Sequence, residues 1–296
     1  MFPVCIFAYK RKAPLENLIQ SLLNNPDAAD TDLYIFCDGS KNTTDNKAVA
    51  SVRKFCNQIT GFRTVTVSEA AINSGLAKSI IHGVTELFNK YDALIVLEDD
   101  LIVSHGFLTF MNEGLRKCKD NPNIISICGY SKRIPSCFAH KSGEVYLHGR
   151  SSSWGWGTWA SKWSLIDFDH VYNLTFIQKL AMYLNLFILA PDLPLMIRAQ
   201  RNQIINSWAI RFVEAEARLK MGSLFPSTSL VENYGFDGDA TNCDIQIGFD
   251  SDFAHSNEVS AWSLPKSTSH IFNMYFWVHE LIYGIVRMIR RKRSKS

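Results

Sequence analysis

Three consecutive acids, Glu98-Asp99-Asp100, stand between the apolar runs Ala93-Leu94-Ile95-Val96-Leu97 and Leu101-Ile102-Val103. The first run has the β-branched and leucine content of a strand buried on both faces. Charge at the end of such a strand is costly without a partner. The triplet is therefore expected where the strand emerges into a cleft, facing something positive. A hard divalent cation, Mn2+ or Mg2+, fits that role, because it takes oxygen ligands and bridges carboxylate to phosphate. The plainer alternative is a capped strand end with solvated acids.

The elements around the triplet support a cleft. Val4 to Tyr9 reads as a first strand, and Pro14 suits the first turn of a helix carrying Leu15, Leu18, Ile19, Leu22 and Leu23 at helical spacing. Leu33 to Cys37 is a second strand running into the turn Asp38-Gly39-Ser40, Lys47 to Ile59 a helix, and Thr64 to Val67 a third strand. Ser74-Gly75 opens a helix through Phe88, and Leu94 to Leu97 is the fourth strand. Alternation of this kind predicts an α/β fold with a mostly parallel sheet and helices on both faces. Ligands bind beyond the carboxyl ends of such strands. Tyr9 to Arg11, Asp38 and Glu98 to Asp100 all fall at those ends.

Further along, Phe107 to Cys118 reads as a helix, Ile124 to Cys128 as a strand and Asn206 to Lys220 as a helix. Ser153-Trp154-Gly155-Trp156-Gly157-Thr158-Trp159 sets glycines between large aromatics. That suits either a loop presenting Trp154 and Trp156 for stacking on a sugar or base, or a core cluster. Gly235-Phe236-Asp237-Gly238-Asp239 reads as a loop.

The 296 residues suffice for one large α/β domain or two small ones. The formal charge of +3 hides a division: Arg287, Arg290, Arg291, Lys292, Arg293 and Lys295 lie in the last ten residues with no acid among them. Without these six, 25 basic groups face 28 acidic ones, so the body is slightly acidic and nucleic acid is a poor partner for it. The apolar stretch from Ile271 to Val286 is interrupted by His279 and Glu280 and precedes the basic run. An amphipathic helix lying on a membrane surface, with its cations on anionic headgroups, fits this pattern better than a spanning helix. A helix docked on the body or a partner is the alternative. The seven cysteines are an odd set without a Cys-x-x-Cys pair, which points to a reducing compartment. Met1-Phe2-Pro3-Val4 enters a strand almost at once, so no signal peptide is expected and the protein is placed on the cytoplasmic side.

No Gly-x-x-x-x-Gly-Lys-Ser/Thr or Gly-x-Gly-x-x-Gly loop is present, against the usual ATP and dinucleotide classes. The order of Pro3 to Arg11, Asp38-Gly39, Glu98-Asp99-Asp100-Leu101 with Phe107, the Trp-Gly-Trp segment, Ser207 to Arg211 and Gly235 to Thr241 resembles the inverting glycosyltransferases of the GT-A fold. That group includes animal N-acetylglucosaminyltransferase I and bacterial envelope-polysaccharide transferases. The resemblance covers about residues 3–245. It implies residues 1–103 as the nucleotide-sugar half of one domain, 104–265 as its acceptor half, and leaves 266–296 as the basic amphipathic tail. It implies Asp100 as the metal ligand, Asp99 and Glu98 orienting sugar and ribose, Asp38 accepting from a uracil imide, and Tyr9 and Arg11 against the nucleotide. Lys78 could reach phosphate.

Each of these has a plain reading too: Asp38 as an Asx turn, Arg11 as a solvated strand-end charge, Lys78 as surface. The position resembling the family's catalytic aspartate is Ser207, beside Asn206, and neither is a competent base. Asp237 or Asp239 could serve from the following loop, or be turn residues. The expectation is thus a metal-dependent enzyme moving a sugar from a UDP-sugar to a glycan or lipid-linked glycan, with inversion, as in lipopolysaccharide or capsule assembly. The alternatives are a degenerate nucleotide-sugar or glycan binder, and a sugar nucleotidyltransferase, which the missing glycines disfavour.

Overall fold

The computed structural model describes residues 1–133, 145–234, 253, 262–264 and 273–282. Its centre is an eight-stranded sheet. β1 (Val4–Ala8), β2 (Asp32–Cys37), β3 (Thr64–Glu69) and β4 (Ala93–Glu98) are followed by β6 (Ile124–Cys128), β7 (Val145–His148), β8 (Trp156–Trp159) and β9 (Gly222–Pro226), while β5 (Leu101–Val103) stands outside it. The spatial order is β3-β2-β1-β4-β8-β6-β9-β7. β3, β2, β1 and β4 pair in parallel, β8 runs against both β4 and β6, β9 runs with β6, and β7 runs against β9. The mostly parallel α/β sheet expected from the sequence is present.

Alternation along the strands decides which helices cover which face. Val4, Ile6 and Ala8 of β1, with Ala93, Ile95 and Leu97 of β4, join one core. There they meet α1 (Lys12–Leu23), α2 (Asn46–Cys56) and α4 (Phe107–Cys118). Cys5, Phe7, Leu94 and Val96 point the other way, to α3 (Leu76–Leu87) and α8 (Trp208–Leu219). A third layer, α6 (Phe176–Leu189) and α7 (Leu193–Arg201), packs on the outer side of α8 through Ile210 and Val213. The short α5 (Ala160–Trp163) follows β8. Cys5, Cys37, Cys56, Cys118 and Cys128 are buried free thiols.

The Trp-Gly-Trp segment corrects the loop expectation. Trp156 to Trp159 is strand β8 at the centre of the sheet, with Gly157 opposite Ile95. A Cβ on Gly157 would lie 2.8 Å from the Leu94 carbonyl oxygen, so glycine lets the two backbones close up. Trp156 is 2% exposed and stacks on Trp208 at 4.8 Å and Trp163 at 5.9 Å between ring centroids. It is therefore core, not a platform for sugar. Trp156→Ala should cost ~3–5 kcal/mol, read by denaturant unfolding. A platform residue would leave stability unchanged.

Sandwiched between two layers, α8 buries acids as well as apolar groups. Glu216 is fully buried; Oε1 accepts from Ser223 Oγ at 2.5 Å and Oε2 from Ser151 N at 2.9 Å. Burial pushes its pKa from 4.5 to about 8, against the opposing hydrogen bonds. Between those values the folded protein keeps a proton that the unfolded chain has lost. This group's contribution therefore weakens as pH rises through the window, then levels off. Glu216→Gln removes the linkage, so its melting temperature relative to the parent should climb from the acid to the alkaline end. A constant difference would mean that Glu216 is ionised in the fold.

Candidate functional site

The acid triplet sits at the carboxyl end of β4, where the chain leaves the large sheet. β5 begins one residue after Asp100 and pairs antiparallel with β10 (Val231–Asn233). Tyr234 N donates to the Asp100 carbonyl at 2.9 Å, and Ser104 N to the Leu230 carbonyl at 2.9 Å. Asn25 adds a brace from the turn after α1, donating to the Ser104 carbonyl and accepting from Leu108 N at the start of α4. The Asp99-Asp100 turn is thus pinned between two sheets, which fixes where its carboxylates point.

Arg11, just beyond β1, is their shared counter-ion. Its Nη2 donates to Asp99 Oδ1 at 3.1 Å and to Asp100 Oδ2 at 2.7 Å, while Tyr9 N donates to Asp99 Oδ2 at 3.2 Å. Arg11 is therefore tied to the acids rather than standing as a solvated charge. On the other side, the Trp208 side chain hydrogen-bonds Glu98, bringing the amino end of α8 to the triplet. Burial, then the charges of Asp100 and Asp99, push Glu98 up to about 8. Burial raises Asp99 to about 6, with Arg11 opposing. Near neutral pH Glu98 then keeps its proton, while Asp99 and Asp100 share the Arg11 guanidinium.

Asp100 Oδ1 is buried and has no hydrogen-bond partner among the described residues. A carboxyl oxygen so placed is costly unless a cation or donor meets it. Among the described residues, no group of three or more His, Cys, Asp or Glu is arranged to hold a metal. One carboxylate nevertheless suits a cation that takes its remaining oxygens from phosphate and water.

Asp38 lies at the carboxyl end of β2 as expected, and it is 8% exposed. Its Oδ1 accepts from Gly39 N at 2.8 Å and Ser74 N at 2.9 Å, its Oδ2 from Gly75 N at 2.9 Å. Three of about four lone-pair positions are filled by backbone, so its first role is to clamp this loop to the start of α3. Tyr9 is likewise a loop tie: its hydroxyl donates to Asp45 Oδ2 at 2.7 Å and accepts from Lys41 N at 2.9 Å. Lys10 Nζ also meets Asp45, at 3.0 Å. Asp45 did not stand out in the sequence, where Asn42-Thr43-Thr44-Asp45 reads as an ordinary polar turn.

Lys78 is exposed in the first turn of α3. Trp154 is half-buried and meets Tyr130 edge-on, with centroids 4.6 Å apart. Ser207 caps α8, its Oγ accepting from Ile210 N at 3.4 Å. That is a structural use of the position where the resemblance would place a base. Neighbouring Asn206 accepts from Arg211. Asp237 and Asp239 lie outside the described residues, as does the basic run 287–295. Trp208 was legible as part of the pattern, but its bond to Glu98 depends on α8 crossing the sheet, which no local spacing encodes.

No family model matches the chain, and no curated protein matches its sequence. Among solved structures it is similar to the mannosyltransferase PcManGT from Pyrobaculum calidifontis in complex with GDP-Man and Mn2+. The TM-score is 0.40 and the identity 9%, over 74% of this chain and 70% of that one. It is also similar to S. aureus TarS, with a TM-score of 0.39 and 13% identity over 76% of this chain and 36% of TarS. For TarS 1-349 the TM-score is 0.39 and the identity 12%, over 76% of this chain and 60% of that one. These similarities are slight, and the functional reading rests on the crevice's own residues.

Proposed function

We propose that this protein is a metal-dependent glycosyltransferase, moving a sugar from a nucleotide sugar to a glycan or lipid-linked glycan. The observation that carries this reading is Asp100 Oδ1, a buried carboxylate oxygen without a hydrogen-bond partner among the described residues, beside Asp99 and Glu98 at the carboxyl end of the central strand. Asp100 would hold Mn2+ or Mg2+, which supplies a positive charge for the diphosphate as it leaves. Arg11 keeps Asp99 and Asp100 in register and would face phosphate from there. Glu98 and Asp99 would orient ribose and sugar, with Tyr9 and Asp38 shaping the nucleotide wall and Lys78 flanking it. Trp154 is the aromatic ring left for a sugar.

The finer assignments are part of the same proposal: a uridine-linked hexose or N-acetylhexosamine donor, inversion at the anomeric carbon, and Asp237 or Asp239 deprotonating the acceptor hydroxyl. Residues 1–103 would form the donor half and 104–265 the acceptor half. The tail, 266–296, would hold the enzyme as a peripheral protein on the cytoplasmic face of a membrane during lipopolysaccharide or capsule assembly. Calorimetry of UDP and UDP-sugars with and without manganese tests the donor site. Manganese-dependent binding is expected; no binding of any uridine nucleotide would remove the uridine assignment.

One observation favours a second reading. Ser207 caps a helix where the resemblance would place a base, which suits a protein that binds a nucleotide sugar without turning it over. Release of UDP with and without an added glycan acceptor separates the two. Acceptor-stimulated release supports transfer, and binding without release supports the binder.

A further inference from the structure

Helix α6 is apolar on two sides. Met182 and Leu186 face inward to the third core layer. Phe176, Ile177, Leu180, Leu184, Phe187 and Ile188 are 47–80% exposed. At 3.6 residues per turn these six span an arc of about 120°, roughly opposite Met182 and Leu186. The helical residues 273–282 repeat the arrangement: Phe276 is buried, while Met274, Val278, Leu281 and Ile282 are 39–62% exposed. The two helices touch. Trp277 Nε1 donates to the Phe187 carbonyl at 2.9 Å, and their rings meet edge-on at 5.6 Å. Glu280, the one acid in 273–282, is buried and pairs with Lys132 and Arg150. An apolar surface shared by two helices is more than the scattered exposure ordinary for a folded protein.

We infer that the outer faces of α6 and residues 273–282 together form a docking surface for an anionic lipid bilayer, which lies in the interface rather than crossing it. Charge selects this occupant. The charged residues of α6 and α7 are Lys179, Arg198 and Arg201, all cationic, and the six basic residues 287–295 follow residues 273–282 in the chain. The rest of the body is slightly acidic. Apolar side chains accompanied along the chain by cations and no acid on the same helices are the pattern of interfacial helices on anionic headgroups. A second copy of this chain would bring the same cations face to face, which opposes pairing. With 14 residues α6 is about 21 Å long, and no helix among the described residues is long and apolar enough to cross a membrane. This surface rests on the proposal that the tail binds membrane and extends it to the folded body.

Hydrogen exchange of the full chain tests it, with phosphatidylcholine vesicles and with vesicles also containing phosphatidylglycerol. Amides in 176–189 and 273–282 should gain protection with the anionic vesicles only. The variant Ile177→Asp with Leu184→Asp, at exposed positions, should bind those vesicles about tenfold more weakly while keeping its melting temperature. Protection confined to 283–296 would overturn the role of α6 and leave the tail proposal standing. Vesicle-independent protection that grows with protein concentration would overturn the bilayer in favour of a second copy. No protection anywhere would overturn both proposals.

Discussion

Replacing Asp100 with alanine is expected to abolish manganese-dependent binding of UDP while leaving the fold intact. The two halves of this expectation come from its two oxygens. Oδ1 is buried without a partner among the described residues and would be the cation's ligand, so nothing else in the described crevice replaces it. Losing it should weaken binding by ~100-fold or more, about 3 kcal/mol. Oδ2 meets Arg11 at 2.7 Å, but Arg11 also holds Asp99 at 3.1 Å. The variant therefore keeps a paired guanidinium and sheds one of three crowded acids, so its melting temperature should hold. Calorimetry with and without manganese reads the first half, and thermal unfolding without ligand the second. If UDP binds the variant as tightly as the parent, and still needs manganese, Asp100 is not the ligand. If the variant unfolds readily, the triplet is a structural cap.

The inner strands of residues 1–128, with the helices packed on them, were legible because β1 and β4 are buried on both faces of a parallel sheet. Val4 to Ala8 and Ala93 to Leu97 have no polar alternative to confuse the reading, and Leu15, Leu18, Ile19 and Leu22 keep helical spacing. The placement of Tyr9, Arg11, Asp38 and Asp100 at or just past the carboxyl ends of neighbouring strands followed from strand direction alone. Beyond residue 128 the reading is uneven. The helix expected over 206–220 is α8. β8, by contrast, carries glycines and tryptophans that suit a loop as well as a core cluster, since its need for glycine arises only from the backbone of β4 beside it. α6 offers apolar residues on two arcs, so no single stripe announces the helix. Side-chain roles were the least legible. The types at Asp38 and Tyr9 are right for a nucleotide wall, yet their hydrogen bonds go first to loops at residues 74–75 and 41–45, remote in sequence.

Asp38 therefore carries the second large effect, and it should appear in stability before it appears in binding. Asp38→Ala strands the N–H groups of Gly39, Ser74 and Gly75, which the carboxylate now accepts at 2.8–2.9 Å. Hydrogen bonds to a charged acceptor are worth ~1.5–3 kcal/mol each, and the loop regains part of that from water, so a net loss of ~2–4 kcal/mol is expected. For a chain of this size that lowers the melting temperature by about 3–6 °C. Asp38→Asn should not rescue it, because its amide nitrogen would face the N–H of Ser74 or Gly75. Gly39→Ala attacks the same contact from the other side. Its Cβ would lie 2.3 Å from the Ile72 carbonyl carbon and 2.7 Å from Asn73 N, so residues 72–73 must move away. The three variants should melt early together, and UDP affinity should fall only as far as the loop is displaced. Unfolding curves and calorimetry on the same preparations separate the roles. If Asp38→Asn loses UDP with its melting temperature intact, Asp38 reads the base directly, and the three backbone bonds merely hold it in place to do so.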